Sequence, residues 1–129
     1  MAMRDSSSRF ASDEQRLTCV GAVVALLAVV DEGPVSDRRL GTLVHDLRAD
    51  EGPAGLDAEA VAVFDAMPMF FSLREGWTSQ ELDAAVTDAV ALGALRALPG
   101  GHLELGHLWR EYIRPPHAAT RVSVVQRTE

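Results

Sequence analysis

Apolar residues change their spacing several times along the chain, and each change marks the boundary of a predicted element. Ser12 stands three residues before Gln15, a capping-box spacing, and an almost continuous apolar run over residues 19–30 follows. This run predicts a helix that either lies at the centre of the domain or offers one face to a partner chain. Ser36 precedes a second helix, in which apolar residues recur at helical spacing over residues 40–47.

The middle of the chain predicts a short helix and then a strand. Asp57 is the expected start of the helix, and Pro68 ends it. The continuous apolar stretch over residues 67–73 predicts a buried strand that joins a small sheet and fills space between helices. Because methionine and aromatic side chains are common at adaptable binding surfaces, the alternative is a groove lined by Met67, Met69 and Phe71.

A third pattern, over residues 78–105, predicts a capped helix followed by a hairpin. Thr78 or Ser79 is the expected cap, and Thr78 stands at capping-box spacing from Glu81. Leu82, Val86, Ala89 and Val90 form one apolar face. Gly93 ends the helix, residues 94–98 and 102–105 alternate as strands, and residues 99–101 form the turn.

Together these elements predict a mainly α protein of the α+β class. A helix over residues 106–113 completes a winged helix-turn-helix of about five helices with a small β-hairpin wing. The predicted domain covers residues 12–114, after a disordered segment over residues 1–11. Residues 115–129 form a tail that is either flexible or an edge strand through Val122, Val124 and Val125.

Two segments carry a resemblance to a known family. GPVSDRRLGTLVHDL and FFSLREGWTSQELDAAVTDAVALGAL resemble the Panacea-type antitoxin domains and, more generally, residues 13–113 resemble winged helix-turn-helix proteins. Trp77 and Thr78 depart from the family, which has proline and tyrosine in its Gly-Pro-Tyr-Ser turn. The resemblance implies a winged-helix fold and a role in DNA binding or protein interaction. The matching positions are Gly76, Ser79, Glu81, Leu82 and Gly93.

Composition and charge narrow the classes of function. The single cysteine, Cys19, excludes an internal disulfide and favours a cytoplasmic location. The apolar run over residues 19–30 is shorter than the ~20 residues that cross a bilayer. The formal net charge of −7 disfavours a protein that mainly neutralises nucleic-acid phosphates. Eight acids against three arginines over residues 31–59 predict a solvated face or a docking surface for a basic partner.

DNA reading by the helix after Ser79 is disfavoured by its side chains. Its predicted outward stripe contains acids and no arginine, whereas a helix in the major groove needs donors and nearby phosphate contacts. If DNA is bound, the basic candidates are Arg38, Arg39, Arg96, Arg110 and Arg114. If a protein is bound, the candidates are Met67, Met69, Phe71, Trp77, Gln80, Asp83 and Thr87.

Enzymatic chemistry has little support in the sequence. His102, Glu104 and His107 are residue types that bind zinc, but exposed polar positions of a hairpin explain them better because no second shell or nucleophile accompanies them. We therefore expect no catalytic residue, metal or cofactor, and a small metal-dependent enzyme is the weakest hypothesis.

The expected function is that of a non-catalytic winged-helix module that binds a protein partner, as an antitoxin-like or accessory regulatory subunit. The alternative is a DNA-binding transcriptional regulator that forms a homodimer through its first helix. The expected partner is thus a protein, and charge disfavours nucleic acid.

Overall fold

A computed structural model of the protein describes residues 13–113. This part of the chain is α+β, with four α-helices, one 3-10 helix and five short strands in two sheets. The predicted segments at residues 1–11 and 115–129 lie outside the described residues. None of the helices in the described range is long and apolar enough to cross a bilayer.

The elements follow one another in the order of the hydrophobic pattern. In chain order they are α1 (Asp13–Val30), β1 (Val35–Ser36), α2 (Asp37–Arg48), α3 (Ala58–Asp65), β2 (Phe70–Ser72), β3 (Gly76–Thr78), α4 (Gln80–Ala91), β4 (Leu95–Leu98), β5 (His102–Leu105) and the 3-10 helix (Trp109–Tyr112).

Helix α1 lies at the centre of the domain. Every residue from Val20 to Leu27 is buried, because α3, α4, β5 and the 3-10 helix pack around it. Gly21, Ala22 and Ala25 keep parts of the helix narrow, so neighbouring elements can approach closely. The apolar helix was expected either at the centre of the domain or with one face offered to a partner chain. The middle of α1 occupies the centre.

Side-chain caps fix where three of the helices begin. The Ser36 hydroxyl accepts the Arg39 amide at 3.0 Å, which confirms the predicted cap. The Asp57 carboxylate accepts the Ala60 amide at 3.1 Å, so the residue predicted to start α3 is its cap. For α4 the cap is Ser79, whose hydroxyl accepts the Leu82 amide at 3.3 Å. The capping-box role predicted for Thr78 is wrong, because Thr78 is the last residue of β3.

Helix α4 stops at Gly93, and the β4-β5 hairpin follows it. Gly93 has φ +82°, and the Ala94 amide donates to the Ala89 carbonyl at 2.9 Å, which closes the end of α4 as predicted. Strands β4 and β5 then pair antiparallel, with Leu95 opposite Leu105. Strand β1 pairs with the other edge of β5, so the three-stranded sheet has the order β1-β5-β4.

Two predictions about elements need correction. The stretch over residues 67–73 is not a buried strand: β2 pairs with β3 in a separate two-stranded sheet, and Phe70, Phe71 and Leu73 are exposed. A continuous apolar run has no period that would reveal which side faces solvent. The helix predicted over residues 106–113 is only a 3-10 helix over Trp109–Tyr112, so residues 13–113 contain four α-helices in place of about five.

Candidate protein-interaction site

The hairpin formed by β2 and β3 is attached to α2 by a stack of aromatic rings. Trp77 lies opposite Phe71 in the hairpin register, and the Phe71 ring meets the indole edge-on with centroids 5.3 Å apart. On its other side the indole lies flat against the His45 imidazole, with centroids 3.8 Å apart. The hairpin is therefore held by ring contacts that combine apolar burial with a favourable ring geometry.

Close backbone packing reinforces this attachment. Gly41 is buried in the middle of α2, and a Cβ atom at this position would lie 1.9 Å from the Trp77 carbonyl oxygen. Only a residue without a side chain allows β3 to approach the helix this closely. The same backbone proximity places the Trp77 indole over His45, one turn further along α2.

Arg38 fixes the turn of the hairpin from the start of α2. Its guanidinium donates to the Arg74 carbonyl at 3.2 Å and lies 3.5 Å from the Leu73 carbonyl. Within the turn, the Ser72 hydroxyl accepts the Glu75 amide at 3.0 Å. Gly76 completes the turn with φ +75°, a backbone conformation that favours glycine.

The attached hairpin presents large apolar side chains to solvent. Phe70, Phe71 and Leu73 are 66%, 53% and 88% exposed. In the described residues only two other large apolar side chains, those of Leu17 and Leu92, are also exposed. Such a concentration of exposed apolar side chains on one element is typical of a binding surface, whereas single ones are ordinary.

A cleft lies beside the hairpin. It has a volume of about 700 Å³ and opens between the start of α2, the hairpin turn, the outward face of α4 and the tip of the β4-β5 hairpin. This volume lies within the range of ~300–1,000 Å³ typical of ligand sites. The residues that line it include Asp37, Arg38, Arg74, Glu75, Trp77, Asp83 and Thr87.

Three carboxylates give the cleft a negative potential. Partial burial raises the pKa of Asp83, and the neighbouring carboxylates of Asp37 and Glu75 raise it further. The guanidinium groups of Arg38 and Arg74 also line the cleft, so the carboxylates outnumber the positive groups by one. The wall of the cleft thus favours a partner that brings positive charge and disfavours a phosphate.

The cleft brings together some of the protein-binding candidates from the sequence and leaves others out. Trp77, Asp83 and Thr87 line it, and Phe71 contacts Trp77 on the hairpin. Gln80 is exposed at the start of α4 but is not part of the lining. Met69 is partly buried against the core.

Met67 belongs to the core. Its side chain is only 2% exposed and packs in the cluster that surrounds α1. A buried methionine cannot line a surface groove, so its predicted binding role is withdrawn.

Sequence reasoning did not identify several residues of this site. Phe70, Leu73, Arg74 and Glu75 were assigned to the core or left without a role. The sequence did contain an indication of a hairpin turn, because Ser72 and Gly76 are separated by a number of residues that commonly joins hairpin strands.

Four of the five basic candidates for DNA binding have local contacts. Arg39 forms a two-pronged pair with Glu32, at 2.8 and 3.2 Å, and this hydrogen bond lowers the pKa of Glu32. Arg96 pairs with Glu104 across β4 and β5, and the Arg110 guanidinium lies 4.8 Å from the centre of the Trp109 ring. Arg38 holds the hairpin turn, and Arg114 lies outside the described residues.

The side chains that could bind a metal do not converge in the part of the chain that the structure describes. No group of three or more histidine, cysteine or acidic side chains is placed there to hold a metal ion. Glu104, one of the predicted zinc-like residues, is paired with Arg96. Cys19 is half-buried, and burial with the nearby carboxylates of Asp88 and Glu81 raises the pKa of its thiol, which disfavours the reactive thiolate.

Little of α1 is free to form a homodimer. Leu17 is 47% exposed, near the exposed Leu92 of α4, and Arg16 crosses between the two helices to pair with Asp88 at 2.9 Å. Residues 20–27 of α1 are buried in the domain itself, and residues 18, 19 and 28–30 are half-buried.

Comparison of the chain with models of protein families, with curated proteins and with solved structures finds no match.

Proposed function

We propose that this protein is a non-catalytic winged helix-turn-helix module that binds another protein through the β2-β3 hairpin and the adjacent acidic cleft. The observation that carries the proposal is the combination of strong exposure and firm attachment in the hairpin. Leu73 is 88% exposed, yet its carbonyl lies beside the Arg38 guanidinium, and Trp77 stacks on His45. An apolar surface that is already rigid binds at a lower entropic cost than one that must first be ordered.

The element order supports the winged-helix part of the proposal. Helix α4, the stop at Gly93 and the β4-β5 hairpin follow one another as a helix and its wing, and β1 adds a third strand to that hairpin. By this correspondence α4 is the recognition helix. Residues 49–79 would then be an enlarged connection that places the β2-β3 hairpin beside that helix.

Charge supports a protein partner over DNA. Residues 13–113 contain seventeen acids and seven arginines, which gives this part of the chain a strongly negative charge. On the outward side of α4, Asp83 faces Asp37 and Glu75, and bringing phosphates next to them would oppose the release of counterions that drives DNA binding. The partner that fits has an apolar pocket with basic residues at its rim.

The biological role that we propose is that of an antitoxin-like or accessory regulatory subunit in the cytoplasm. Support for the role comes from the resemblance of residues 33–47 and 70–95 to Panacea-type domains. A free cysteine in place of a disulfide fits a reducing compartment.

The test is affinity purification of the full chain from its native cell, followed by the same experiment with two matched variants. Leu73→Asp changes an 88% exposed side chain of the hairpin, and Leu17→Asp makes the same change on α1. We expect Leu73→Asp to reduce recovery of a specific protein about 30-fold, the effect of losing a ~2 kcal/mol interface residue, and Leu17→Asp to leave it unchanged.

Other results would contradict the proposal. If only Leu17→Asp lowers recovery, or if it alone dissociates a dimer of this chain, the interaction surface is on α1. If a gel shift with the upstream DNA at two salt concentrations gives tight, sequence-dependent and salt-sensitive binding, the protein is a DNA-binding regulator.

A further inference from the structure

Strand β2 is the outer strand of the β2-β3 hairpin. All three of its residues, Phe70–Ser72, are exposed, whereas Gly76 of β3 is buried and Trp77 is half-buried. Strand β3 is the one that packs against α2. Within residues 13–113, β2 pairs with β3 and with no other strand, so its far edge faces solvent.

The direction of the Trp77 carbonyl shows which backbone groups lie on that open edge. A Cβ atom at Gly41 would lie 1.9 Å from the Trp77 carbonyl oxygen but 3.0 Å from the carbonyl carbon, so this carbonyl points at α2 and away from β2. Two residues that face each other in an antiparallel pair direct their amide and carbonyl groups either toward each other or both outward. Phe71, which lies opposite Trp77, therefore directs its N–H and C=O to the open edge.

This edge lacks the usual protection against pairing. Open edges are normally protected by a charged side chain, a proline or a bulge, and the sequence of β2 contains neither charge nor proline. The three-stranded sheet also has two outer strands among the described residues, but β1 is only two residues long and β4 carries the charged Arg96. The adjacent donor and acceptor of Phe71 are thus the best template for an added strand in this part of the chain.

The side chains of β2 define which segment fits beside it. Directly opposite residues of neighbouring strands lie on the same face, and successive residues alternate between faces. The residue opposite Phe71 therefore lies on the face that carries the Trp77 indole. Its two neighbours lie on the other face, beside Phe70 and Ser72. The segment that fits is extended, with an apolar side chain opposite each phenylalanine and a polar one opposite the serine.

Charge selects a basic partner over a second copy of this chain. Residues 13–113 contain seventeen acids against seven arginines, so two copies repel each other while a basic segment is attracted. Close to β2, the hairpin turn contributes Arg74 and Glu75, whose charges cancel. The attraction therefore comes from the domain as a whole.

We propose that the outer edge of β2 binds an extended, apolar segment of a basic protein partner as a third, antiparallel strand, in which one residue exchanges two hydrogen bonds with Phe71. This inference rests on the proposed function, since it names how the partner binds to the same hairpin. Antiparallel pairing is the more stable arrangement per residue. The stack of Trp77 on His45 and the hydrogen bond from Arg38 hold the edge in place before binding, which lowers the entropic cost.

A synthetic peptide, acetyl-Lys-Ile-Thr-Val-Phe-Lys-amide, is the probe for the isotope-labelled full chain. When it binds antiparallel to β2, its valine faces Phe71, its phenylalanine faces Phe70 and its threonine faces Ser72. We expect a Kd on the order of 1 mM, with NMR shift changes centred on residues 69–73. At saturation the Phe71 amide should exchange with solvent about tenfold more slowly than in the free protein. No shift change at millimolar peptide overturns the inference.

Two methylated versions of the peptide separate backbone pairing from apolar docking. A methyl group on the valine amide removes the donor that bonds to the Phe71 carbonyl, whereas one on the phenylalanine amide lies on the side that faces away from β2. The first should weaken binding at least about tenfold, and the second should leave it nearly unchanged. Equal binding of the two overturns strand addition.

A pair of protein variants tests the same hydrogen bonds from the other side. Phe71→Pro removes the outward N–H and leaves the bonds between β2 and β3, and Phe71→Ala is its control because it removes the same ring. We expect Phe71→Pro to bind the peptide at least about tenfold more weakly than Phe71→Ala. Equal affinities overturn the inference. If Phe71→Pro disrupts the hairpin, the methylated peptides decide with the unaltered chain.

The charge of the partner has its own control. A peptide with glutamate in place of both lysines should bind about fivefold more weakly than the original, and the difference should shrink at high salt. Equal binding of the two peptides overturns the basic partner. A dimer of the full chain that Phe71→Pro dissociates, and Phe71→Ala does not, assigns the edge to a second copy and overturns the inference too.

Recovery of a cellular partner distinguishes failure of this inference from failure of the proposed function. If recovery falls in Leu73→Asp but is equal in Phe71→Pro and Phe71→Ala, strand addition is wrong and the proposed function stands. If the peptide pairs with β2 and no Leu73-dependent partner is recovered, the proposed function is wrong.

Discussion

The imidazole of His45 and the indole of Trp77 lie almost parallel, with 3.8 Å between ring centroids and 11° between ring planes. These residues come from different elements, the last turn of α2 and the middle of β3. Their contact is what holds the exposed apolar hairpin in a fixed position against the domain. An interaction surface on this hairpin therefore depends on a residue pair that is itself only half exposed.

Removing the indole should loosen the hairpin. We expect Trp77→Ala to lower the free energy of unfolding by about 2 kcal/mol, less than the 3–5 kcal/mol of a fully buried tryptophan because the ring is half-buried. Amide exchange over residues 70–78 should accelerate, while exchange in the centre of α1 changes only with global stability. Phe70→Ala is the control, since the 66% exposed side chain should cost less than about 0.5 kcal/mol. Unchanged exchange in the hairpin of Trp77→Ala would show that the stack does not hold it.

Gly41 should respond to alanine in the opposite way to most glycines in helices. Alanine normally stabilises an exposed helix interior by about 1 kcal/mol relative to glycine. Here the added Cβ would lie 1.9 Å from the Trp77 carbonyl oxygen, so β3 must move away from α2. We expect Gly41→Ala to lower the midpoint of urea unfolding. It should also reduce partner recovery, as the separate variant Leu73→Asp does. Thr42→Ala, one residue further along α2, should leave both nearly unchanged, and a stabilised Gly41→Ala would refute the close packing.

The sequence predicted well those features that depend on a few neighbouring residues. The helix starts at Ser36 and Asp57 were predictable because the capping hydrogen bond spans only three positions. Gly93 ends α4 because the chain there requires a positive φ. The alternation of Leu103 with its polar neighbours was enough to locate β5.

Features that depend on tertiary contacts were not predictable in this way. By composition Phe70 and Phe71 suit the core, but the hairpin packs against α2 through β3, and both phenylalanines of β2 are left exposed. The stack of His45 on Trp77 joins residues more than thirty positions apart, and no spacing rule connects them. The acidic cleft likewise appears only when Asp37, Glu75 and Asp83 are brought together from three elements.

The choice between two adjacent caps for α4 gives a third prediction. The Ser79 hydroxyl accepts the Leu82 amide and donates to the Glu81 carboxylate at 3.0 Å, and Ser79 is 3% exposed. We expect Ser79→Ala to cost about 1–2 kcal/mol in the free energy of unfolding, because it removes a cap and leaves a buried amide unpaired. Thr78→Ala should cost clearly less, since Thr78 caps nothing. If urea unfolding showed that both variants lose the same free energy of unfolding, Thr78 would have to contribute to capping as well.

The pH dependence of stability should reveal the crowding of carboxylates in the cleft. The pKa of Asp83 is raised by burial and by Asp37 and Glu75, so its ionised form is disfavoured in the folded protein. The stability associated with neutral Asp83 is therefore complete below the pKa of the unfolded chain and is lost as the pH rises through the folded pKa. At pH 7, Asp83→Asn should be the more stable protein, by about a few tenths of a kcal/mol because solvent screens this exposed group.

Thermal unfolding between pH 3 and pH 7 measures this difference for Asp83→Asn. The gain over wild type should shrink on acidification and vanish once the carboxyl of Asp83 is protonated in both the folded and unfolded states. Asp37→Asn should give part of the same gain at pH 7, since it removes one of the two neighbouring charges that act on Asp83. Glu51→Gln, at an exposed carboxylate outside the cleft lining, should give none. If Asp83→Asn is still more stable than wild type at pH 3, the added stability must come from packing or helix propensity. The measurement would then give no evidence for the negative field that favours a basic partner.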